Sequence, residues 1–486
     1  MKVLLIQPVP PKAYWPVGAF RSHWVPTGLA YLGAALLREG HEVRVHVREE
    51  QLARVDMDWD VADARLRSLL AEFRPDAVGL TVLTPHVSEA RRIAGWAREI
   101  VGPHVLVVAG GAHPSAVGEA MLSGCEDIDV LVMGEGERTF AELLRCGPGR
   151  DVRGIIYRGD GQFIATPPRP IETDLDSLGP PAYGLFDMDY YTAANRWMIR
   201  WLKLSATNIR TSRGCPARCR FCAGHVVAGV GVRYHSIEYV MEQIRQAVDR
   251  FGVRGIHFED DTVAADSRRL LQLCDAIRRD GLHRRIVWDC CLRVDQAEAG
   301  LLAAMKSAGC IQVEYGFESG SDATLKRLGK GANLELNRRA VSLTRQAGLR
   351  IFADIMIGLP GETERDFRQT QRFLRWSRPE VISPARLAPL PGTALYDALP
   401  AEVKAGLDWD RYAYMGSQLG INFTAMPDAR LEKLASRFTR YTFRGQMMRA
   451  MLRDTPAEER EERRRLRRKL VRFICHHPIR SLGVPW

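Results

Sequence analysis

Thr211–Gly224 reads TSRGCPARCRFCAG, with three residues between Cys215 and Cys219 and two between Cys219 and Cys222. The run directly follows a strand-like stretch at 207–211. The thiols therefore belong to a loop at the carboxyl end of a strand, which sets the frame for the rest of the chain. Three thiolates at this spacing can wrap one face of a small metal cluster. A structural zinc site closes with four Cys or His ligands. No fourth ligand completes such a pair here, and His225 is the nearest candidate. An iron–sulfur cluster normally takes four thiolates, so three leave one iron open to another ligand.

Toward the C-terminus, strand-like runs recur at 255–259, 286–291, 311–317, 350–357 and 381–387. Helical runs fall at 236–250, 267–279, 295–307, 333–347 and 363–375. With the strand at 207–211 these make six βα units, the pattern of a partial (β/α)6 barrel whose site lies at the carboxyl ends of its strands. Residues 205–395 form this unit, and 396–486 read as a helical, basic C-terminal region.

Toward the N-terminus the alternation is of a second kind. Strands are expected at 3–7, 43–47, 77–81, 105–109 and 130–133, with helices at 28–38, 61–73, 88–100, 115–122 and 137–145. This is an α/β, doubly wound Rossmann-like domain over residues 1–146. Residues 147–204, rich in Gly and Pro, read as a linker that packs between the two units.

Composition agrees with a folded globular protein of several domains. The chain has 486 residues, 46 % hydrophobic and 26 % charged, which does not describe a disordered protein. No run approaches the ~18 apolar residues of a membrane helix. The apolar start, Val3–Ile6, is too short for an export signal, so a cytoplasmic location is expected. In that setting the ten cysteines suit metal binding or catalysis better than a disulfide framework. Cys290, Cys291 and Cys310 read as small core residues. Of the net charge of +11, Arg437–Arg480 carries 14 Lys/Arg against 5 Asp/Glu. That stretch reads as a solvated helical tail, with docking to an acidic protein or a membrane surface as the alternative; no nucleic-acid motif accompanies it.

The CxxxCxxC run, with aromatic Phe221 before its last cysteine, resembles the signature of the radical S-adenosylmethionine (SAM) superfamily. The resemblance spans about residues 205–390. It implies that Cys215, Cys219 and Cys222 hold a [4Fe–4S] cluster whose open iron chelates SAM. One electron then cleaves SAM to a 5′-deoxyadenosyl radical, which takes hydrogen from an unactivated carbon. The resemblance also implies a SAM-binding role for Phe221, for Glu259 and Asp260 of HFEDD, for Arg293 of DCCLRVD, for Glu318 and Ser319 of EYGFESGS, and for Gly358 of IMIGLPGET. An electron donor such as flavodoxin or ferredoxin would be a partner.

Residues 1–146 resemble the cobalamin (B12)-binding domain fused to many such enzymes. TGLAYLGAALLREGHEV, TVL at 81–83, the Gly-Gly pair before AHPS and GEGE at 134–137 carry the likeness. It places Thr81, Leu83, Gly110 and Gly111 at the nucleotide tail and corrin face. The DxHxxG motif that supplies a histidine to cobalt is absent; the loop after the first strand reads QPVPPKAYWPVGAF. GEGE is not a phosphate loop, because its carboxylates would repel a phosphate at a helix N-terminus. The leading expectation is cobalamin-dependent C-methylation of a small natural-product substrate. A cobalamin-independent dehydratase or cyclase of antibiotic biosynthesis, keeping the domain for structure alone, is the alternative. A non-enzymatic metal- or redox-sensing module is the third reading. The catalytic residues and the substrate are not legible.

Overall fold

The computed structural model describes residues 1–14, 23–159, 161–412, 419–438 and 442. The N-terminal sheet contains β1 (Lys2–Gln7), β2 (Glu42–Val47), β3 (Ala77–Thr81), β4 (Leu106–Gly110), β5 (Val130–Val132), β6 (Ile155–Gly159) and β7 (Gln162–Ala165), in the order β2-β1-β3-β4-β5-β6-β7. Strands β1 to β5 pair in parallel. Val3, Leu4, Leu5 and Ile6 are fully buried, because helices cover both faces of a parallel sheet. The order reverses beside β1, which creates a crevice at the carboxyl ends of the strands.

Two details depart from the sequence reading. The stretch read as linker from 147 contains β6 and β7, which pair antiparallel and extend the first sheet to Ala165. Their short, Gly-flanked runs gave too little pattern to be read as strands. The helix expected at 115–122 is two short helices, Ala112–Val117 and Glu119–Ser123, broken at Gly118, whose φ of +56° ends the first turn.

The second sheet contains β8 (Ala206–Ile209), β11 (Gly255–Phe258), β12 (Val287–Leu292), β13 (Cys310–Glu318), β14 (Arg350–Ile357) and β15 (Val381–Arg386), all parallel and ordered β15-β14-β13-β12-β11-β8. It is an open, curled half-barrel. A two-residue hairpin, β9 (Ser212–Arg213) with β10 (Arg233–Tyr234), brackets the cysteine loop. Ser236, Asp266, Ser321, Asn333 and Thr363 each cap the helix that follows with a side-chain oxygen, which fixes where each crossover helix begins. The helix expected from 295 starts at Ala299, after a single 3-10 turn at Val294–Gln296.

Beyond the barrel the described chain is short and helical, with turns at Ala394–Asp397, Ala401–Ala405 and Trp409–Arg411. Trp409 returns to the first domain, with its ring 5.0 Å from that of His113. Most of the basic stretch Arg437–Arg480 lies outside the described residues. Among the described residues no helix is long and apolar enough to cross a membrane.

Candidate active site

The cysteine loop is held at its root from the barrel side. Asp260 follows β11 and is 4 % exposed; it accepts the backbone N–H of Thr211 at 2.7 Å and of Ser212 at 3.0 Å. Burial pushes its carboxyl up in spite of these donors. Arg269 donates to the carbonyls of Thr211 at 3.2 Å and His235 at 2.7 Å, tying both hairpin strands to one helix. Gly214 then turns the chain into Cys215. Its φ is +91°, and a Cβ there would stand 2.4 Å from the carbonyl oxygen of Gly231, so no other residue fits.

Cys219 and Cys222 are joined by a turn, the N–H of Cys222 donating to the Cys219 carbonyl at 3.1 Å. The N–H of Gly224 points at the Cys222 sulfur at 3.4 Å, and Arg293 Nη1 stands 4.0 Å from the Cys219 sulfur. Burial pushes the thiols of Cys215 and Cys222 up, so metal binding there must displace protons. Among the described residues no three His, Cys, Asp or Glu side chains converge on a point that one metal ion would fill. The three thiols lie on one loop, and as the protein ligands of a four-iron cluster they leave one iron open.

The residues expected around SAM divide into two groups. Glu259, Arg293, Glu318 and Gly358 stand at successive strand ends. Glu259 accepts from Asn208 Nδ2 at 2.8 Å, Arg210 Nη2 at 2.9 Å and Thr27 Oγ1 at 3.0 Å. Arg293 is clamped by Asp295 and by the Lys330 carbonyl at 2.8 Å. Glu318 has a φ of +61°, uncommon for a residue with a Cβ, at a register shift in β13, and pairs with Lys330 Nζ at 2.5 Å. Gly358 also has a positive φ, +84°, and its N–H donates to Glu362 at 3.0 Å. In the second group, Asp260 and Ser319 are committed to structure. Asp260 braces the loop root, and Ser319 Oγ meets Thr370 Oγ1 at 3.0 Å in the barrel wall. Phe221 packs with Leu328, Leu359, Leu387 and Leu395, which presses the loop onto the barrel rim.

A cavity of about 290 Å³ opens where the first domain meets the loop. Thr81, Gly110 and Gly111 line it, together with Gly28, Gly79, Gly134 and Gly136. Cβ atoms would narrow this cleft. At Gly79 one would press on Phe140 and Leu5 at under 3 Å, while at Gly28 one would meet nothing within 4 Å. Glycines thus make up part of this wall, beside larger lining residues such as Tyr31, Leu32, Glu135 and Arg213. Leu83 is not among the lining residues; it lies on the surface at 37 % exposure.

A second cavity, of about 340 Å³, occupies the mouth of the half-barrel. Trp24, Trp197 and Phe352 form walls, and His257, Cys291 and Glu314 rise from consecutive strands. His257 Nδ1 meets Asp289 Oδ1 at 2.9 Å, and Asp289 is held in turn by Gln312 Nε2 at 2.9 Å. Burial works against protonation of His257, but Asp289 outweighs it and the imidazole is raised. Glu314 and Asp354 share a hydrogen bond in the interior, and burial pushes both carboxyls up. Cys290 and Cys310 are core residues, as expected; Cys291 instead faces this cavity. Arg210 and Asp261 line both cavities, so the two adjoin at these side chains. None of Arg210, Asp261, His257 or Glu314 was singled out from sequence. The signal was present in the period of two: NIR at 208–210, HFE at 257–259, DCC at 289–291 and QVE at 312–314 each put polar or thiol groups on one face.

Comparison with known proteins agrees with this geometry. The radical SAM superfamily matches residues 209–374, and the B12 binding domain matches residues 16–144. An uncharacterized methyltransferase, PH0819, of Pyrococcus horikoshii is 32 % identical over 418 residues, 85 % of this chain and 86 % of that one. The anaerobic magnesium-protoporphyrin IX monomethyl ester cyclase of Rubrivivax gelatinosus is 27 % identical over 85 % of this chain and 73 % of its own. Among solved structures, the radical SAM methyltransferase TsrM of Kitasatospora setae superposes with a TM-score of 0.66 at 20 % identity, over 84 % of this chain and 77 % of that one. The cobalamin-dependent enzyme OxsB gives 0.62 at 18 % identity, over 90 % and 61 %; both show a shared fold. With a thiol triplet on the half-barrel and a glycine-walled cleft facing it, the chain belongs to the radical SAM superfamily in its B12-domain-bearing branch, and its cofactors are a [4Fe–4S] cluster, SAM and cobalamin.

Proposed function

We propose that the protein transfers a methyl group to carbon of a small molecule bound in the half-barrel cavity, after abstraction of hydrogen from that carbon. The observation that carries this reading is the junction of the two cavities at Arg210 and Asp261, beside the cysteine loop. A substrate in the barrel mouth then lies within reach of both cofactor sites. When bound, the cofactors supply one-electron cleavage of SAM and a transferable methyl group.

The chain's own residues do the rest. Cys215, Cys219 and Cys222 hold the cluster, and Arg293, clamped by Asp295, places a cation beside the Cys219 sulfur. Glu259, Glu318 and Gly358 offer strand-end carboxylates and an open backbone for SAM. Thr81, Gly110 and Gly111 admit the corrin, while Leu83, expected beside them, stands outside the cleft lining. Trp24, Trp197 and Phe352 wall off water, while the His257–Asp289 pair offers a proton donor at the cavity floor. An electron donor of the flavodoxin or ferredoxin type completes the cycle, and a cytoplasmic setting suits these oxygen-sensitive groups. The first domain, extended by β6 and β7 to Ala165, and the barrel at 205–395 serve this division of labour, with the segment between them contributing Trp197 to the cavity.

The test uses anaerobically reconstituted protein with dithionite, hydroxocobalamin and SAM labelled in its methyl group, incubated with a small-molecule extract of the source cells. Label appearing on carbon of a product, together with 5′-deoxyadenosine, supports the reading. 5′-Deoxyadenosine with an altered but unlabelled product would move the protein to the dehydratase or cyclase type.

A further inference from the structure

The run Gly134–Glu137 plays no part in the chemistry just described, yet it makes the densest set of charged contacts between the domains. Glu135 accepts from Arg213 Nη1 at 3.1 Å and from both terminal nitrogens of Arg233 at 2.8 Å. Glu137 accepts from Arg213 Nη2 at 2.8 Å. All four side chains are buried, at 7 to 12 % exposure. The two carboxylates follow β5 in the first domain, Glu135 in the connecting loop and Glu137 at the start of the helix Glu137–Cys146. The two guanidiniums face each other across the hairpin, Arg213 in β9 being paired with Arg233 in β10.

Position gives this group its meaning. Arg213 precedes Cys215 by two residues, and Arg213, Glu135 and Glu137 also line the glycine-walled cleft. The root of the cysteine loop is thus gripped from both sides. Asp260 and Arg269 hold it to the barrel; Glu135 and Glu137 hold it to the cobalamin domain. The Arg213 guanidinium also lies over the Tyr31 ring at 4.9 Å, and the Tyr31 hydroxyl meets Tyr239 at 3.0 Å. Two positive and two negative groups balance: removing Glu137 leaves both guanidiniums on Glu135, and removing Glu135 leaves Arg233 with only the Glu172 and Ala228 carbonyls. Burial alone would push the Glu135 carboxyl up, but the two guanidiniums hold it below its usual range. Fork-shaped guanidinium–carboxylate pairs define geometry more tightly than apolar packing, and a buried pair is retained for register more readily than for stability.

We propose that Glu135, Glu137, Arg213 and Arg233 form a charge latch that fixes the cluster loop against the cobalamin domain and so sets the spacing between the two cofactors. They are positioning residues. The inference rests on the function proposed above, since that spacing has meaning only with a corrinoid in the cleft.

The experiment compares full-length wild type with Glu135→Gln, Glu137→Gln and Arg213→Lys, each carrying reconstituted cluster and cobalamin added as hydroxocobalamin. The readouts are iron content, hydroxocobalamin affinity by absorbance titration and, after anaerobic reduction with dithionite to cobalt(II) and the paramagnetic [4Fe–4S]+ cluster, the cobalt-to-cluster distance distribution by pulsed EPR. The expected result for Glu135→Gln is unchanged iron, binding weakened by about tenfold, and a distance distribution broadened relative to wild type. Glu137→Gln removes one of Arg213's two partners and gives a smaller broadening, which keeps the test open should Glu135→Gln fail to fold. Arg213→Lys keeps the charge without the fork and broadens the distribution too. Distances and affinity equal to wild type in all three variants overturn the latch alone. Wild-type protein that takes up no hydroxocobalamin overturns the latch and the proposed function together.

Discussion

The two sheets end in opposite chemistry. Strands of the first sheet bring Gly79 and Gly110 to their cleft, with Gly111 and Gly134 in the connections that follow, and glycine makes up part of the cleft wall. Strands of the half-barrel bring Cys291 and Glu314, with Arg210 and Glu259 just past strand ends, to a cavity shaped by charge and aromatic walls. A large rigid ring is recognised by the room left for it. A small flexible ligand must be recognised by the groups that touch it. The cysteine loop reaches the first surface at Gly224, Arg210 and Asp261 border both surfaces, and four variants test how far each surface depends on its own residues.

The largest effect belongs to the loop itself. Cys222→Ala removes one of three cluster ligands and is expected to drop SAM cleavage to background, measured as 5′-deoxyadenosine formed with dithionite. Full cleavage by that variant would break the comparison at its centre. Next is Asp260→Ala, which strands two buried backbone N–H groups at the loop root. It should cost about 4 kcal/mol, at roughly 1–3 kcal/mol for each unsatisfied group, read from urea denaturation, with lower iron content after reconstitution.

Glu362 supplies a pH test on the barrel side. It is 1 % exposed, and burial pushes its carboxyl up to about 7 although the N–H groups of Gly358 and Leu359 donate to it. The folded form therefore binds the proton more tightly than the unfolded chain. Its contribution to stability is complete below about pH 4.5 and is lost as pH rises through about 7, a change of about 3 kcal/mol. Glu362→Gln should flatten that fall in unfolding free energy between pH 5 and 8 (roughly the interval spanned by the shift). An unchanged slope would remove Glu362 as its source. The smallest effect is the most selective. Gly28→Leu puts a side chain into the open space of the first cleft and should weaken hydroxocobalamin binding by about tenfold, or about 1.4 kcal/mol. Stability should rise by up to about 1 kcal/mol, because glycine is a poor helix former. SAM cleavage should be unaffected.

Sequence legibility followed the same divide. The parallel strands announced themselves as apolar runs, and Ala77–Thr81 and Arg350–Ile357 were placed without error. The hairpin of β6 and β7 was missed because short antiparallel edge strands beside Gly and Pro resemble connecting chain. Cys215, Cys219 and Cys222 were visible because their spacing is local. Arg210, Asp261 and His257 were not, since their importance comes from which strands lie side by side. Asp260 and Asp261 show the limit most sharply. They are adjacent in sequence, but one is bonded into the loop root while the other lines both cavities, and only backbone direction tells them apart.

The glycine-walled cleft borrows part of its floor from the cysteine loop region, where Gly224, Val227 and Ala228 complete the lining begun by the first domain. On the function proposed above, one loop region serves both cofactor sites, so the seating of one bears on the other. Stripping iron should loosen the corrinoid, and by reciprocity withholding the corrinoid should loosen the cluster by the same factor, which makes maturation of the enzyme a cooperative event.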